Sequence, residues 1–316
     1  MRIVFSLAVA IGVCHSAFAT SAFHAATINS SNTIGNSQIQ LEFEGRFSDA
    51  QKQELSDWVE EMALAVANVY GEFPLDKARV KLVRSYSWRE PVPWGEVKRR
   101  RGSKVVLHVN PDFSYAKLRA DWTAAHEMSH LFLPYVGSDN KWFSEGLASY
   151  YQNIARGSVG LLTERETFQK LFHGFRRGER NAQRRPVRLS DASSSRGNNM
   201  RVYWSGAAYF FNVDVKLRQE SNGKQSLATV LKQYKNCCLP NHSVTALWRV
   251  IDRLDRLSGT EIFTDEYQKI ISSKQFPDYA ETFQQLGITT GWGGIDFDSD
   301  LKKRRLRQSL LQSTKR

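Results

Sequence analysis

TAAHEMSHLFLPYVGSDNKWFSEGLASYY, residues 123–151, contains two short motifs separated by a polar turn. The first is an HExxH pattern, in which His126 and His130 are four residues apart. On a helix this spacing directs both imidazole rings from the same face, so both can bind one ion. Glu127 is rotated away from that ion but stays close to a water molecule that the ion would hold. The pattern therefore predicts a metal site on a helix with a carboxylate beside it.

A metal site of this kind needs a third protein ligand, and three kinds of ligand are considered. Metzincin proteases would have glycine three residues and histidine six residues after His130, but Leu133 and Val136 stand at those positions. That class is excluded. A cysteine ligand, as in the peptide deformylases, would have to be Cys237 or Cys238, which lie far downstream without a supporting motif.

A carboxylate on the following helix is the third candidate. Glu145 lies fifteen residues after His130, within the second motif, WFSEG. The intervening residues 134–140 include proline, glycine, serine, aspartate and asparagine, which favour a turn that folds this helix back on the first. Two histidines and one glutamate leave a fourth position open for water, which is typical of catalytic zinc sites. We therefore predict Zn²⁺ bound by His126, His130 and Glu145.

HEMSH followed by WFSEGLASYY resembles the gluzincin metallopeptidases, and most closely the catalytic domain of the glycyl aminopeptidase family. Residues 203–207, YWSGA, are similar to the Y-x-x-G-A segment of that family. The similarity extends over about residues 120–287. This resemblance implies a thermolysin-like gluzincin catalytic domain, a zinc cofactor and a role for Tyr203 in stabilising the oxyanion of the reaction.

The resemblance and the motifs together lead to the hypothesis of a zinc-dependent peptidase that acts on a peptide or protein substrate. Zinc would lower the pKa of its bound water, Glu127 would take the proton as general base, and Tyr203 would help to stabilise the oxyanion. The cleavage mode stays open between aminopeptidase and endopeptidase, because the strand that anchors the substrate amine in related aminopeptidases has only Trp94-Gly95-Glu96 as its nearest candidate here. Two alternatives also stay open: a catalytically silent envelope-binding protein on a peptidase fold, and a zinc hydrolase of non-peptide amides.

Apolar periodicity and turn residues predict an α+β fold, with a small mixed sheet followed by a mainly helical half. A helix is predicted from Ser48 to Tyr70, and the segment around Gly95 is predicted as a loop or an irregular edge. The predicted strands are 38–43, 80–83 and 104–108. After Pro111 the spacing is helical, and the predicted helices are 115–131, 142–156, 163–172, 203–218, 227–234, 244–257 and 261–272.

The ends of the chain differ in composition from its middle. Arg2, an apolar run and small residues ending at Ala19 are typical of a secretory signal peptide, residues 1–19. Residues 20–37 are predicted as a flexible leader, residues 38–290 as the catalytic domain and residues 291–316 as a basic C-terminal tail. No later segment is long and apolar enough to span a bilayer. We therefore expect an exported protein, either periplasmic or secreted.

Basic residues outnumber acidic ones, with 44 Lys and Arg against 32 Asp and Glu and a formal net charge of +12. The charge is concentrated in three runs, residues 98–101, 176–188 and 302–316. Such runs are typical of solvated surfaces, and the alternatives are an anionic substrate or electrostatic association with the envelope. The run 176–188 is interpreted as a loop bordering the cleft. Nucleic acid is not expected as a partner, because no reading module is visible in an exported chain.

Cysteine usage predicts no disulfide framework, so the fold must be stabilised by its core. Removal of the signal peptide would leave only Cys237 and Cys238, which are adjacent in the sequence. Three interpretations of this pair stay open: a vicinal disulfide, two free thiols, or two small apolar residues that fill space at a helix end. The oligomeric state is not predicted.

Overall fold

The computed structural model describes residues 29–99, 102–241, 243–291 and 293–313. The fold is α+β, as predicted, with a five-stranded sheet and a mainly helical half. The strands of the sheet are β1 (Asn29–Ile34), β2 (Ser37–Glu44), β3 (Lys77–Arg84), β4 (Trp94–Lys98) and β5 (Lys104–Val109). The predicted signal peptide lies outside the described residues.

Twelve α-helices, two 3₁₀ turns and a second small hairpin complete the described part of the chain. The helices are α1 (Asp49–Asn68), α2 (Tyr115–Ala120), α3 (Thr123–Ser129), α4 (Lys141–Ser158), α5 (Glu164–Arg184), α6 (Leu189–Ala192), α7 (Asn199–Glu220), α8 (Leu227–Cys238), α9 (Leu247–Ser258), α10 (Ile262–Ile271), α11 (Ala280–Gln285) and α12 (Leu301–Ser309). Strands β6 (Ile288–Gly291) and β7 (Gly294–Phe297) pair between α11 and α12. Among the described residues, no helix combines the length and the apolar character needed to cross a membrane.

The sheet has the order β1-β2-β3-β5-β4, with three parallel central strands and an antiparallel strand at each edge. Helix α1 joins β2 to β3, because parallel neighbours need a crossover rather than a tight turn. It begins where the sequence predicts. The Ser48 side chain accepts from the Gln51 backbone, and the Gln51 side chain accepts from the Ser48 backbone, which together form a capping box. The segment around Gly95 becomes the edge strand β4.

The prediction of a flexible leader over 20–37 is wrong for its described part. Asn29–Ile34 pairs antiparallel with β2 along its whole length. Its sequence, NSSNTI, has no apolar alternation although a strand forms, and its last residue, Ile34, is buried at 3% exposure. The reason is that pairing satisfies backbone N–H and C=O groups whatever the side chains are.

The prediction of a basic tail over 291–316 is also wrong for its described part, which forms β7 and α12. The Arg307 side chain is buried, and its Nε donates to Glu164 Oε1 at 2.5 Å and its Nη1 to the Leu286 carbonyl at 2.8 Å. Arg218 of α7 donates to the Ser309 carbonyl at 2.9 Å. These bonds tie α12 to α5 and α7. The basic run 302–316 therefore includes one residue, Arg307, that is buried and stabilises the fold.

Two segments of the helical half differ from their predictions for local reasons. The single helix predicted over 115–131 is broken, because Asp121 is extended and its Oδ1 accepts from the Thr123 backbone at 2.7 Å, which starts α3 anew. The basic segment 176–188, predicted as a loop, is helical through Arg184. Helix α5 continues there because its apolar face continues beyond Phe172, with Phe175 fully buried.

Helices α4 and α7 meet backbone to backbone, and this contact positions the functional side chains. A methyl group placed on Gly206 would lie 1.8 Å from the Trp142 carbonyl oxygen, and one on Gly146 would lie 2.3 Å from Gly206 Cα. Neither position can accept a side chain without a shift of one helix. Glu145 directly precedes one glycine and Tyr203 lies one turn before the other, so the contact brings these two residues together.

Cys237 and Cys238 form a vicinal disulfide at the end of α8. This decides among the three interpretations that the sequence left open. The same helix end is held to the turn after α1 by Lys235, whose Nζ lies 2.7 Å from Glu72 Oε2 and 3.1 Å from the Phe73 carbonyl. The disulfide therefore sits beside a segment that is already anchored.

Candidate metal centre

Helix α3 carries the first two predicted ligands. His126 lies within the helix and is 2% exposed, and His130 opens the turn of 3₁₀ helix that ends it. Their ring centroids are 4.9 Å apart and nearly perpendicular. Arg99, just after β4, donates to the carbonyls of His130 and Leu133 at 2.5 and 3.2 Å. This side chain satisfies carbonyls that the end of the helix leaves unpaired and fixes the second ligand against the sheet.

Helix α4 supplies the third predicted ligand. Glu145 Oε2 lies 3.1 Å from His126 Nε2 and 3.5 Å from His130 Nε2. The three ligand atoms lie within 4.8 Å of one another. Zinc bonds to imidazole nitrogen and carboxylate oxygen are about 2.0–2.2 Å long, so one ion can reach all three atoms. The group of two nitrogens and one oxygen fits Zn²⁺, as the sequence predicts.

The charge state of Glu145 suits a metal ligand. Burial opposes ionisation of its carboxyl, but the charge of His130 and the hydrogen bonds from His126 and His130 outweigh that effect. The pKa of Glu145 is therefore held well below its usual range. The side chain is an anion at neutral pH and faces the two histidines.

Gln152 is a candidate site residue that the sequence analysis missed. Its Oε1 lies 2.8 Å from His126 Nδ1, and because an amide oxygen can only accept, Nδ1 carries the proton. Because Gln152 engages Nδ1, Nε2 is the nitrogen of His126 that faces Glu145 and is left to bind the candidate ion. The available signal was spacing: Gln152 lies seven residues, or two turns, after Glu145 on the same helix face.

Glu127, the predicted general base, is 7% exposed and lies directly against the edge strand. A methyl group on Gly95 would come within 2.6 Å of Glu127 Cγ and 2.9 Å of its Oε1. Glycine at this position lets β4 pass over the carboxylate. Burial raises the pKa of Glu127, and the charges of His130 and His126 oppose that rise. The carboxyl of Glu127 therefore binds a proton more tightly than the carboxyl of an exposed glutamate does.

Tyr203, in the first turns of α7, lies beside the predicted metal ligand His126. Its ring stacks on that of His126, with centroids 5.9 Å apart and an interplanar angle of 11°. Burial raises the pKa of the Tyr203 phenol, and the charges of Glu145 and Glu127 raise it further. The hydroxyl therefore stays protonated over the physiological range and can act as a hydrogen-bond donor.

A cleft of about 590 Å³ contains all five predicted site residues. Its other wall includes Trp94, Gly95 and Glu96, the segment that the sequence analysis named as a candidate amine anchor. Glu96 also pairs with Lys98 at 2.9 Å. The structure thus places these groups around one cavity, with α3 as its floor and β4 and α7 on its sides.

No protein-family model matches the sequence, and no curated protein is detectably similar to it. Solved structures are similar in fold. An aminopeptidase N family protein from Idiomarina loihiensis has a TM-score of 0.64 at 17% identity, over 84% of this chain and 50% of that chain. Native yeast LTA4 hydrolase has a TM-score of 0.54 at 14% identity, over 82% of this chain and 42% of that chain.

A mutant M1 zinc metallopeptidase from Deinococcus radiodurans, bound to a Tyr-Ser-Ala substrate, has a TM-score of 0.50 at 13% identity, over 79% of this chain and 53% of that chain. At such identities the likeness shows the fold alone. The chain spans about half the length of the solved structures it matches. The comparisons agree with the predicted α+β architecture.

Proposed function

We propose that this chain is a zinc-dependent peptidase of the gluzincin kind, with a thermolysin-like catalytic domain. The observation that carries the proposal is the convergence of Glu127 and Tyr203 on the group formed by His126, His130 and Glu145. Support comes from the fold neighbours, which include zinc metallopeptidases and one structure with a bound tripeptide substrate. The complete set of side chains does not favour a catalytically silent binding protein, which would be expected to have lost Glu127 or a ligand.

Each protein group has a role that follows from its surroundings. Zinc, when bound, supplies a Lewis acid that polarises a carbonyl and acidifies water. Glu127 takes a proton from the attacking water and gives it to the leaving amine, because its buried carboxyl lies in the same cleft and has a raised pKa. Gln152 keeps His126 in the tautomer that leaves Nε2 free to bind a metal.

Tyr203 would donate a hydrogen bond to the oxygen that becomes negatively charged as the carbonyl is attacked. It is suited to this because its hydroxyl remains protonated and faces the carboxylates of the site rather than bulk water. A hydrogen-bond donor of this kind contributes about 100-fold or more to the rate in hydrolases. Tyr203→Phe should therefore lower kcat by about that factor without releasing zinc.

We further propose an aminopeptidase mode, in which Glu96 on β4 contacts the amino terminus of the substrate. Its position in the same cleft supports this, because a free amine is a cation and the cleft is rich in carboxylates. The pair with Lys98 would have to open when the amine arrives. Export of the chain, predicted from residues 1–19, is part of the same proposal and would place the enzyme outside the cytoplasm.

The test is digestion of a peptide library by the purified protein, with free and with blocked amino termini, and with and without a chelator. Wild-type protein is expected to cleave in a chelator-sensitive manner, and Glu127→Gln is expected to keep its zinc and lose turnover. Glu61→Gln is the matched control, because it makes the same change at a surface pair with Arg119. Cleavage of free termini alone would establish the aminopeptidase mode. Full hydrolysis by Glu127→Gln, or a wild-type protein without zinc, would overturn the proposal.

A further inference from the structure

A second cavity, of about 370 Å³, adjoins the metal cleft and shares Trp122 and Tyr203 with it. It lies between α4, α5 and the start of α7. Arg156, Lys170 and Arg177 line it, and none of its described lining residues is an aspartate or glutamate. The metal cleft, in contrast, is lined by five carboxylates and two cations. The two neighbouring cavities therefore present opposite charges.

Helix α4 contributes lining residues to both cavities. Glu145, Gln152 and Arg156 are seven and four residues apart, so all three project from the same face of the helix. Gln152 bonds to His126 and also lines the second cavity. Arg156 lies one turn further along, about 6 Å away by the helical rise. Glu145 and Arg156 are about 16 Å apart by the helical rise, so a group bound by Arg156 would lie several peptide residues from the metal group.

Arg156 is buried without a full set of partners. Its residue exposure is 1%, and within the described part of the chain its Nε has no hydrogen-bond partner. Asp121 and Glu166 act on it through their charges, and neither forms an ion pair with it among the described residues. A buried guanidinium that lacks acceptors is destabilising by several kcal/mol. An anion in the cavity would supply the acceptors that this guanidinium lacks.

The rim of the cavity adds further positive charge. Lys170 and Arg177 project from α5, and the guanidinium of Arg177 lies 5.1 Å from the ring centroid of Trp204, a wall of the cavity. Burial lowers the pKa of Lys170, and the neighbouring charge of Arg156 lowers it further. Neighbouring cations repel one another, so an anion between them would be bound favourably.

We propose that this cavity, the Arg156 pocket, binds a carboxylate of the peptide substrate, either the side chain of an acidic residue or the C-terminal carboxylate. This inference rests on the proposed peptidase function and names its substrate class. A peptide would lie with its backbone at the metal group and its carboxylate between Arg156 and the α5 cations. The enzyme would then prefer acidic or short peptides over neutral internal sequences.

The experiment measures binding apart from turnover, by calorimetry with zinc-loaded Glu127→Gln protein. Three probes share one skeleton with a free amino terminus: Gly-Gly-Gly-Gln-amide, Gly-Gly-Gly-Glu-amide and Gly-Gly-Gly-Gln with a free carboxylate. One carboxylate-bearing probe is expected to bind at least tenfold more tightly than the neutral amide, and which one does so identifies the source of the carboxylate. Arg156 is buried and its removal could impair folding, so the variants change the exposed rim.

Lys170→Gln/Arg177→Gln should lower the preference for the carboxylate several-fold, because it removes two of the three cations that line the pocket. Arg180→Gln/Arg184→Gln, which removes the same charge from the same helix outside the pocket, should leave it intact. Equal binding of all three probes, or a preference that is undiminished in the Lys170→Gln/Arg177→Gln protein, would overturn the inference. Hydrolysis of neutral peptides by wild-type protein is scored separately. Cleavage without carboxylate preference refutes only the pocket, and carboxylate preference without cleavage refutes only the peptidase.

Discussion

Replacing Gly206 by alanine tests how the site is assembled. The new methyl group would lie 1.8 Å from the Trp142 carbonyl oxygen and 2.7 Å from Gly146 Cα. An ordinary contact begins at 3.4 Å, so α7 must move about 1.6 Å away from α4. Overpacking destabilises a protein by about 1–3 kcal/mol, and alanine recovers up to about 1 kcal/mol as the better helix former. For a displacement of this size we expect a net loss of about 2 kcal/mol.

The displacement also separates Tyr203 from the metal group, since that residue lies on α7 whereas the three ligands lie on α3, the turn that ends it, and α4. A misplacement of about 1 Å can reduce a rate by about 100-fold. Gly206→Ala should therefore keep its zinc, lose about 2 kcal/mol in urea denaturation and lose at least about 100-fold in kcat. Gly291→Ala is the control, because a methyl group there meets nothing within 4 Å. A Gly206→Ala protein with wild-type stability and kcat would refute the close contact of α4 and α7.

Two further changes test other parts of the structure. Gln152→Ala removes the acceptor for His126 Nδ1 and should weaken zinc binding by about 10–100-fold in competition with a chelator; an unchanged zinc Kd would show that Gln152 does not orient the ligand. Arg307→Ala removes the bonds to Glu164 and the Leu286 carbonyl and should lower the free energy of unfolding by about 2 kcal/mol, whereas the exposed Arg305→Ala should change it by less than about 0.5 kcal/mol. If the Arg307→Ala and Arg305→Ala proteins unfold at the same urea concentration, the bonds of Arg307 do not stabilise the fold and the C-terminal segment is a tail, as the sequence predicted.

Local signals carried most of the fold prediction. Helix α1 begins where Ser48 and Gln51 form a capping box, and α4 was predicted closely because its apolar positions recur at helical spacing. The metal group was also predictable, since residues spaced like His126 and His130 on a helix lie on the same face. In each case the information lies within a few residues along the chain.

The remaining features depend on partners that are distant in sequence. Strand β1 exists because β2 offers it a pairing edge, and α12 folds because Arg307 finds acceptors more than a hundred residues away on α5. The partner role of Gln152 and the burial of Arg156 likewise depend on how α4 packs against α3, α5 and α7. Propensity and charge patterns contain no information about those contacts, so a buried arginine and a solvated one look alike in the sequence.

The shared face of α4 has a consequence for how the sequence of this region can vary. Glu145 and Arg156 belong to one uninterrupted helix, so their separation is fixed by helical pitch and cannot be adjusted by loop movement. A single-residue insertion between them would turn the downstream side chains by about 100° and shift them by about 1.5 Å. Substitutions can retune the Arg156 pocket, but insertions and deletions between residues 145 and 156 would remove it from the cleft altogether. We therefore expect length to be invariant in this segment even where its residues change.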